Sequence, residues 1–175
     1  HYTYAADGDA GEVAVIDNET QSVVNTIKVG SDPWRAYASP DGKWMLIPNN
    51  GDETVSVIDT KTQQLASTLK AGPGMTGINY VNGGKKAYVI ASEESSVYVY
   101  DLDKMEISNR LKIGKNIKLE TAATTPDGKK IYLTSSTDNS VYVIEADGDR
   151  VRRISDVGQS PWAASIMNGH DNYCH

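Results

Sequence analysis

Val13-Ala14-Val15-Ile16-Asp17 is a short apolar run closed by an acid, and the chain then repeats that phrase three times. It returns as Val55-Ser56-Val57-Ile58-Asp59, Val97-Tyr98-Val99-Tyr100-Asp101 and Val141-Tyr142-Val143-Ile144-Glu145. The acidic residues that close these runs stand 42, 42 and 44 residues apart. Each is followed 13 residues later by a glycine: Gly30, Gly72, Gly114 and Gly158. In the second copy Thr54-Val55-Ser56-Val57 alternates with period two, which gives a strand with two different faces. A period of roughly 40–45 residues with several short strands per unit predicts an array of sheet blades.

One unit shows the grammar. Pro33 to Ser39 is a short run that ends in Pro40-Asp41-Gly42-Lys43. Proline fixes φ and Asp-Gly supplies the positive-φ position of a tight hairpin. Trp44 to Pro48 predicts the next strand, closed by Asn49-Asn50-Gly51-Asp52. Thr54 to Asp59 alternates, Thr60-Lys61-Thr62 turns the chain, and Gln64 to Ala71 is the last strand before Gly72. Three hairpin links in one unit give a four-stranded antiparallel meander. The first turn is echoed by Asn82-Gly83-Gly84-Lys85 and Pro126-Asp127-Gly128-Lys129, and loosely by Asn168-Gly169-His170. Pro33-Trp34 reappears as Pro161-Trp162, whereas the third unit has Ile117-Lys118-Leu119-Glu120 in that place.

These residues resemble the YVTN-type β-propeller repeat. The strand that names the family aligns with Tyr132-Leu133-Thr134-Ser135, Tyr88-Val89-Ile90-Ala91, Leu46-Ile47-Pro48-Asn49 and Tyr4-Ala5-Ala6-Asp7. Ser39-Pro40-Asp41-Gly42-Lys43 and Thr26-Ile27-Lys28-Val29-Gly30 are similar to its consensus as well. The resemblance implies an all-β chain: a β-propeller of four-stranded antiparallel blades, here with four repeats over residues 1–168 and a C-terminal tail over 169–175. Family members resemble rings of around seven blades, so four is a departure.

The phase of the repeat bears on closure. The chain opens on the second strand of a blade, Tyr2 to Ala6, and finishes on a lone first strand, Pro161 to Met167. The expectation is that this C-terminal strand completes the N-terminal blade, because closure removes a free sheet edge. The competing reading is a piece of a larger ring, or a half that pairs with another chain. A chain that opens on His1 rather than Met reads as a processed or excised product.

Composition works mainly by exclusion. A net charge of −6 with a pI near 5.0 argues against nucleic acid, which needs a concentrated basic face. No apolar run reaches the length of a membrane-spanning helix. There is no Gly-x-Ser-x-Gly elbow, and the histidines are confined to the chain ends, so catalysis by side chains is not expected. The acidic stretch Asp7 to Glu12 reads as a hairpin turn, since the later ligands of a calcium loop are missing.

Two groups of residues carry candidate chemistry. His1, His170, Cys174 and His175 hold all the imidazoles and the only thiol. Closure would gather them, and such a set could bind copper or zinc. Cys174-His175 also matches the end of the Cys-x-x-Cys-His haem attachment motif, but Asp171 stands where the first cysteine is required. Trp34, Arg35 and Trp162 begin the innermost strands and form a candidate partner surface, because Trp and Arg dominate binding hot spots. The alternative is that Pro-Trp packs between blades. The leading expectation is a non-catalytic exported scaffold that binds a protein or cell-surface component. Its extracellular, cell-surface or periplasmic location is implied by the resemblance. The second is a redox-associated metalloprotein subunit, as similar propellers serve as copper or haem partners.

Overall fold

The computed structural model describes residues 1–171, the last two as backbone only. All its regular structure is antiparallel β-sheet apart from two single 3₁₀ turns, Asn82–Gly84 and Ser92–Glu94. The chain divides into two compact units, His1–Ala71 and Gly72 onward. The first unit holds a three-stranded sheet of β1 (Tyr2–Asp7), β2 (Glu12–Asp17) and β3 (Ser22–Lys28). It also holds a four-stranded sheet of β4 (Tyr37–Ala38), β5 (Trp44–Asn49), β6 (Thr54–Asp59) and β7 (Gln64–Lys70). The second unit repeats the meander in β8 (Met75–Val81), β9 (Lys86–Ala91), β10 (Ser96–Asp101) and β11 (Glu106–Lys112). Its other sheet contains β12 (Leu119–Thr124), β13 (Lys130–Ser135), β14 (Ser140–Glu145) and β15 (Arg150–Ser155), with the two-residue β16 (His170–Asp171) beside β12. These are the four blades expected from the repeat.

The repeated acidic residue has a local cause. Asp17 Oδ1 accepts the backbone N–H groups of Glu19 at 2.8 Å and Thr20 at 3.2 Å. Asp59 does the same for Lys61 and Thr62, and Asp101 for Asp103 and Lys104. Each carboxylate thus fixes the turn between the third and fourth strands. In the fourth copy Glu145 is one methylene longer and pairs instead with Arg150 at 2.5 Å. The fourth residue of these turns adopts a positive φ in every copy: 52° at Gln21, 53° at Gln63, 55° at Met105 and 52° at Asp149.

Middle strands read as continuous apolar runs because both of their faces are covered. Leu46 and Ile47, neighbours on opposite faces of β5, are both fully buried. The first unit's core gathers Val13, Val15, Ile27, Met45, Ile47 and Ile58, with Tyr4 packed against it. The second unit's core is larger and includes Tyr88, Ile90, Val99, Leu119, Ile131 and Leu133. Outer strands bury little: every residue of β15 is exposed. Pairing of β4 stops at Tyr37↔Leu46. Pro48 lies just beyond, and it lacks the N–H that a longer ladder would use.

The C-terminal segment departs from the expectation. Among the described residues the β1 sheet has three strands, and residues 161–167 form no strand. That segment is held along β12 instead. The Trp162 carbonyl accepts hydroxyl hydrogen bonds from Thr121 at 3.3 Å and Thr134 at 3.0 Å. A turn through Gly169 then lets β16 pair with Ala123 and Thr124.

Candidate functional site

The two expected indoles are both at the surface. Trp34 is 44% exposed at the start of the inner strand in the first unit, and Trp162 is 51% exposed in the second. The third tryptophan, Trp44, is 8% exposed, with Lys43 Nζ 4.7 Å from its ring centre. Pro33 is buried and bridges Asn49, so proline supplies the packing and tryptophan points outward. Arg35 stacks over the buried Tyr37 ring at 5.1 Å. That contact is a cation–π pair that holds the guanidinium against the Tyr37 ring.

At the repeat position of Trp34 and Trp162, β12 carries Glu120, which is 5% exposed. Its carboxylate accepts Ser136 Oγ–H at 2.5 Å and pairs with Lys118 at 3.1 Å. A buried carboxylate must be satisfied in this way. Its signal in the sequence is the replacement of Pro-Trp by Ile117-Lys118-Leu119-Glu120.

A second cluster lies at the opposite end of the strands, among the hairpin turns of the second unit. A cleft of about 380 Å³ is lined by Lys85, Lys86, Asp101, Asp103, Asn109 and Asp149, among others. Asp149 receives Lys86 Nζ at 2.5 Å, Tyr88 OH at 2.6 Å and Asn109 Nδ2 at 3.2 Å. Burial pushes the Asp149 carboxyl up, but the hydrogen bonds from Lys86, Tyr88 and Asn109 together hold it below its ordinary value. Burial, then the bond to Asp149, pushes the Tyr88 phenol up. Lys86 also donates to the Ala146 carbonyl at 2.9 Å. The four groups form a clasp from one sheet to the turn of the next. Its carboxylate is saturated with donors, which suits a lock rather than a general base.

The turns between second and third strands hold another repeated acid. Asp52 accepts the Ser31 N–H with both oxygens, at 2.9 and 3.0 Å. Glu94 occupies the same place one repeat later, where the residue corresponding to Ser31 is Pro73 and has no N–H. Glu94 Oε2 takes Arg110 Nη2 at 2.6 Å, and its Oε1 is buried without a protein donor. A Cβ at Gly72 would collide with that carboxylate.

His1 is exposed, the His170 side chain is not described, and Cys174 and His175 lie outside the described residues. Among the described residues no group of three His, Cys, Asp or Glu side chains is placed to hold a metal. No described helix is long and apolar enough to cross a membrane.

Fold and repeat together define a β-propeller chain built from YVTN-type blades. The sequence profile of the YNCE-like beta-propeller family matches residues 2–171, and the chain belongs to that family. No curated protein matches the sequence. Among solved structures it is similar to Kuenenia stuttgartiensis hydrazine synthase, at 20% identity and a TM-score of 0.58 over 88% of this chain and 62% of that one. It is also similar to dihydro-heme d1 dehydrogenase NirN in complex with DHE, at 18% identity and a TM-score of 0.73 over 87% of this chain and 35% of that one. Likeness at this identity establishes the fold. The chain spans less than two thirds of either neighbour's length.

Proposed function

We propose that the chain is a non-catalytic binding module, exported to the cell surface, periplasm or medium, that recognises a protein or surface component. The observation that carries this reading is the exposure of one indole per unit at the same repeat position, Trp34 and Trp162. Burying a tryptophan contributes more to association than burying almost any other side chain, and leaving two in water has a cost that packing does not require. The support for export is the YVTN-type repeat itself.

The test is capture from a native extract by the immobilised chain, with identification of the bound species. Trp34→Ala and Trp162→Ala should each weaken capture of one defined partner at least tenfold while leaving the thermal midpoint within a few degrees. Unchanged capture by both variants would discard the indole surface.

A redox-associated metalloprotein subunit is the second reading, with His1, His170, Cys174 and His175 as ligands for copper or zinc, or haem at the thiol. Its support is that one structure of the same fold is a dihydro-heme d1 dehydrogenase. Elemental analysis and a visible spectrum of the purified chain separate the two. Stoichiometric copper, zinc or iron, or absorbance beyond the protein band, would favour the metalloprotein.

A further inference from the structure

The chain contains three Asn-Gly steps: Asn50-Gly51, Asn82-Gly83 and Asn168-Gly169. A glycine after asparagine leaves its peptide nitrogen unshielded by any Cβ, so that nitrogen can attack the side-chain amide carbon. A nitrogen whose N–H is held by a carbonyl is withheld from that attack. Gly51 N–H donates to the Ser31 carbonyl at 3.0 Å, and Gly169 N–H donates to the Ile166 carbonyl at 2.8 Å. Gly83 N–H has no backbone acceptor among the described residues. Asn82 and Gly83 are both exposed, and a Cβ at Gly83 would meet nothing within 4 Å. A Cβ at Gly51 would instead collide with Ser31, and one at Gly169 with the Thr124 carbonyl.

The turn that carries Gly83 also lacks the ties of its copies. Asp41 Oδ1 accepts Ser39 Oγ–H at 2.6 Å and Lys43 N–H at 3.1 Å. Asp127 Oδ1 does the same for Thr125 Oγ1–H at 2.6 Å and Lys129 N–H at 3.0 Å. The corresponding residues here are Val81 and Gly83, so neither bond can form. What remains is backbone: Asn82 N–H on the Gly128 carbonyl at 3.1 Å, and a long bond of 3.4 Å from Lys85 N–H to the Asn82 carbonyl.

We propose that Asn82 is a site of spontaneous covalent modification, where the folded chain converts to a mixture of aspartate and isoaspartate. The Gly83 nitrogen bonds to Asn82 Cγ and gives up its proton, the Cγ–Nδ2 bond breaks, and ammonia leaves. Water then opens the resulting succinimide at either carbonyl, which gives aspartate or isoaspartate. No oxidant or reductant takes part. The new carboxylate takes the net charge from −6 to −7. It stands between two clefts of about 380 and 500 Å³ that Asn82 lines, one with Lys85 and Lys86, the other with Lys129 and Lys130. The isoaspartate branch also adds a carbon to the backbone of the turn, so spacing changes along with charge. This assignment goes beyond the binding-module reading and stands without it.

The experiment holds the whole chain at mildly alkaline pH, folded in one arm and unfolded in guanidinium in the other. Peptide mass spectrometry follows the amide-to-acid mass gain at each step, and methyltransferase labelling counts isoaspartate. In the folded chain Asn82 should convert at least about fivefold faster than Asn50 or Asn168, the factor that one net hydrogen bond supplies. In guanidinium the three rates should converge, because the Asn-Gly step is common to all. Asn82→Gln, whose longer side chain would have to close a six-membered ring, should remove the leading acidic species on ion exchange. The wild-type rate comparison does not depend on that variant folding. Asn82 still intact in the folded chain after it has converted in guanidinium would overturn the proposal. So would Asn50 or Asn168 keeping pace with it.

Discussion

The same clasp is built twice, once in each unit, with different chemistry. In the first unit Tyr4 OH and Asn25 Nδ2 reach the next sheet's turn and find backbone carbonyls, Thr60 at 3.5 Å and Gln63 at 3.0 Å. In the second unit Tyr88 and Asn109 stand at the corresponding positions and find the Asp149 carboxylate, which Lys86 pairs as well. Asn25 and Asn109 even share a local bond, each accepting the N–H of its own successor at 2.9 and 2.8 Å. The difference rests on one left-handed turn position, Gln63 in one unit and Asp149 in the other. A neutral acceptor that belongs to the backbone cannot be lost by mutation. A carboxylate can be, and it makes the clasp stronger and dependent on pH.

The largest expected effect is therefore at Asp149. Asp149→Ala leaves the mostly buried Lys86 ammonium without its partner and should cost about 2–4 kcal/mol in urea unfolding. Gln63→Ala, which keeps the carbonyl, should stay within about 0.5 kcal/mol. Equal losses would erase the distinction. The pH profile comes next. The Asp149 carboxyl titrates below its ordinary value when folded, so its contribution is present above the unfolded pKa and is lost as pH falls through the folded one. Wild-type stability should drop as the solution is acidified below about pH 4, and Asp149→Asn should flatten that drop. A parallel profile for both proteins would show that other carboxylates control it. Smaller still, Tyr88→Phe should cost about 1–2 kcal/mol, because its hydroxyl serves a charged acceptor. Tyr4→Phe, whose bond is long, should cost less than about 0.5 kcal/mol by the same measurement. Asn109→Ala and Asn25→Ala should differ least, by about 0.5 kcal/mol, since both lose the same local bond from the following N–H.

Sheets and turns were legible in the sequence because each depends on neighbours a few residues apart. The carboxylate turns at Asp17, Asp59 and Asp101 recur with the strands they close, and repetition multiplied a weak local signal. The clasp was not legible. Lys86, Tyr88 and Asn109 meet Asp149 across 40 to 63 positions, and nothing local distinguishes Asp149 from Asp147. Strand closure is an expectation from phase alone, and phase cannot foresee the hydrogen bonds from Thr121 and Thr134 that hold the Trp162 carbonyl. Repetition singles out the indoles but favours packing between blades, and their exposure is visible only with the sheets in place. Glu120 was marked as a departure from Pro-Trp, yet its burial depends on Ser136 in a later turn. The terminal imidazoles and thiol fall largely on residues whose side chains are not described.

A single imino acid illustrates how copies within one polypeptide diverge. With Pro73 in place of a donor, the acid at Glu94 no longer ties loop to loop and has been recruited by an arginine from its own sheet. Restoring an amide there, by Pro73→Ser, would offer the carboxylate two suitors and loosen its hold on Arg110. Duplicated blades thus stay tolerant of drift as long as each orphaned charge finds another mate nearby.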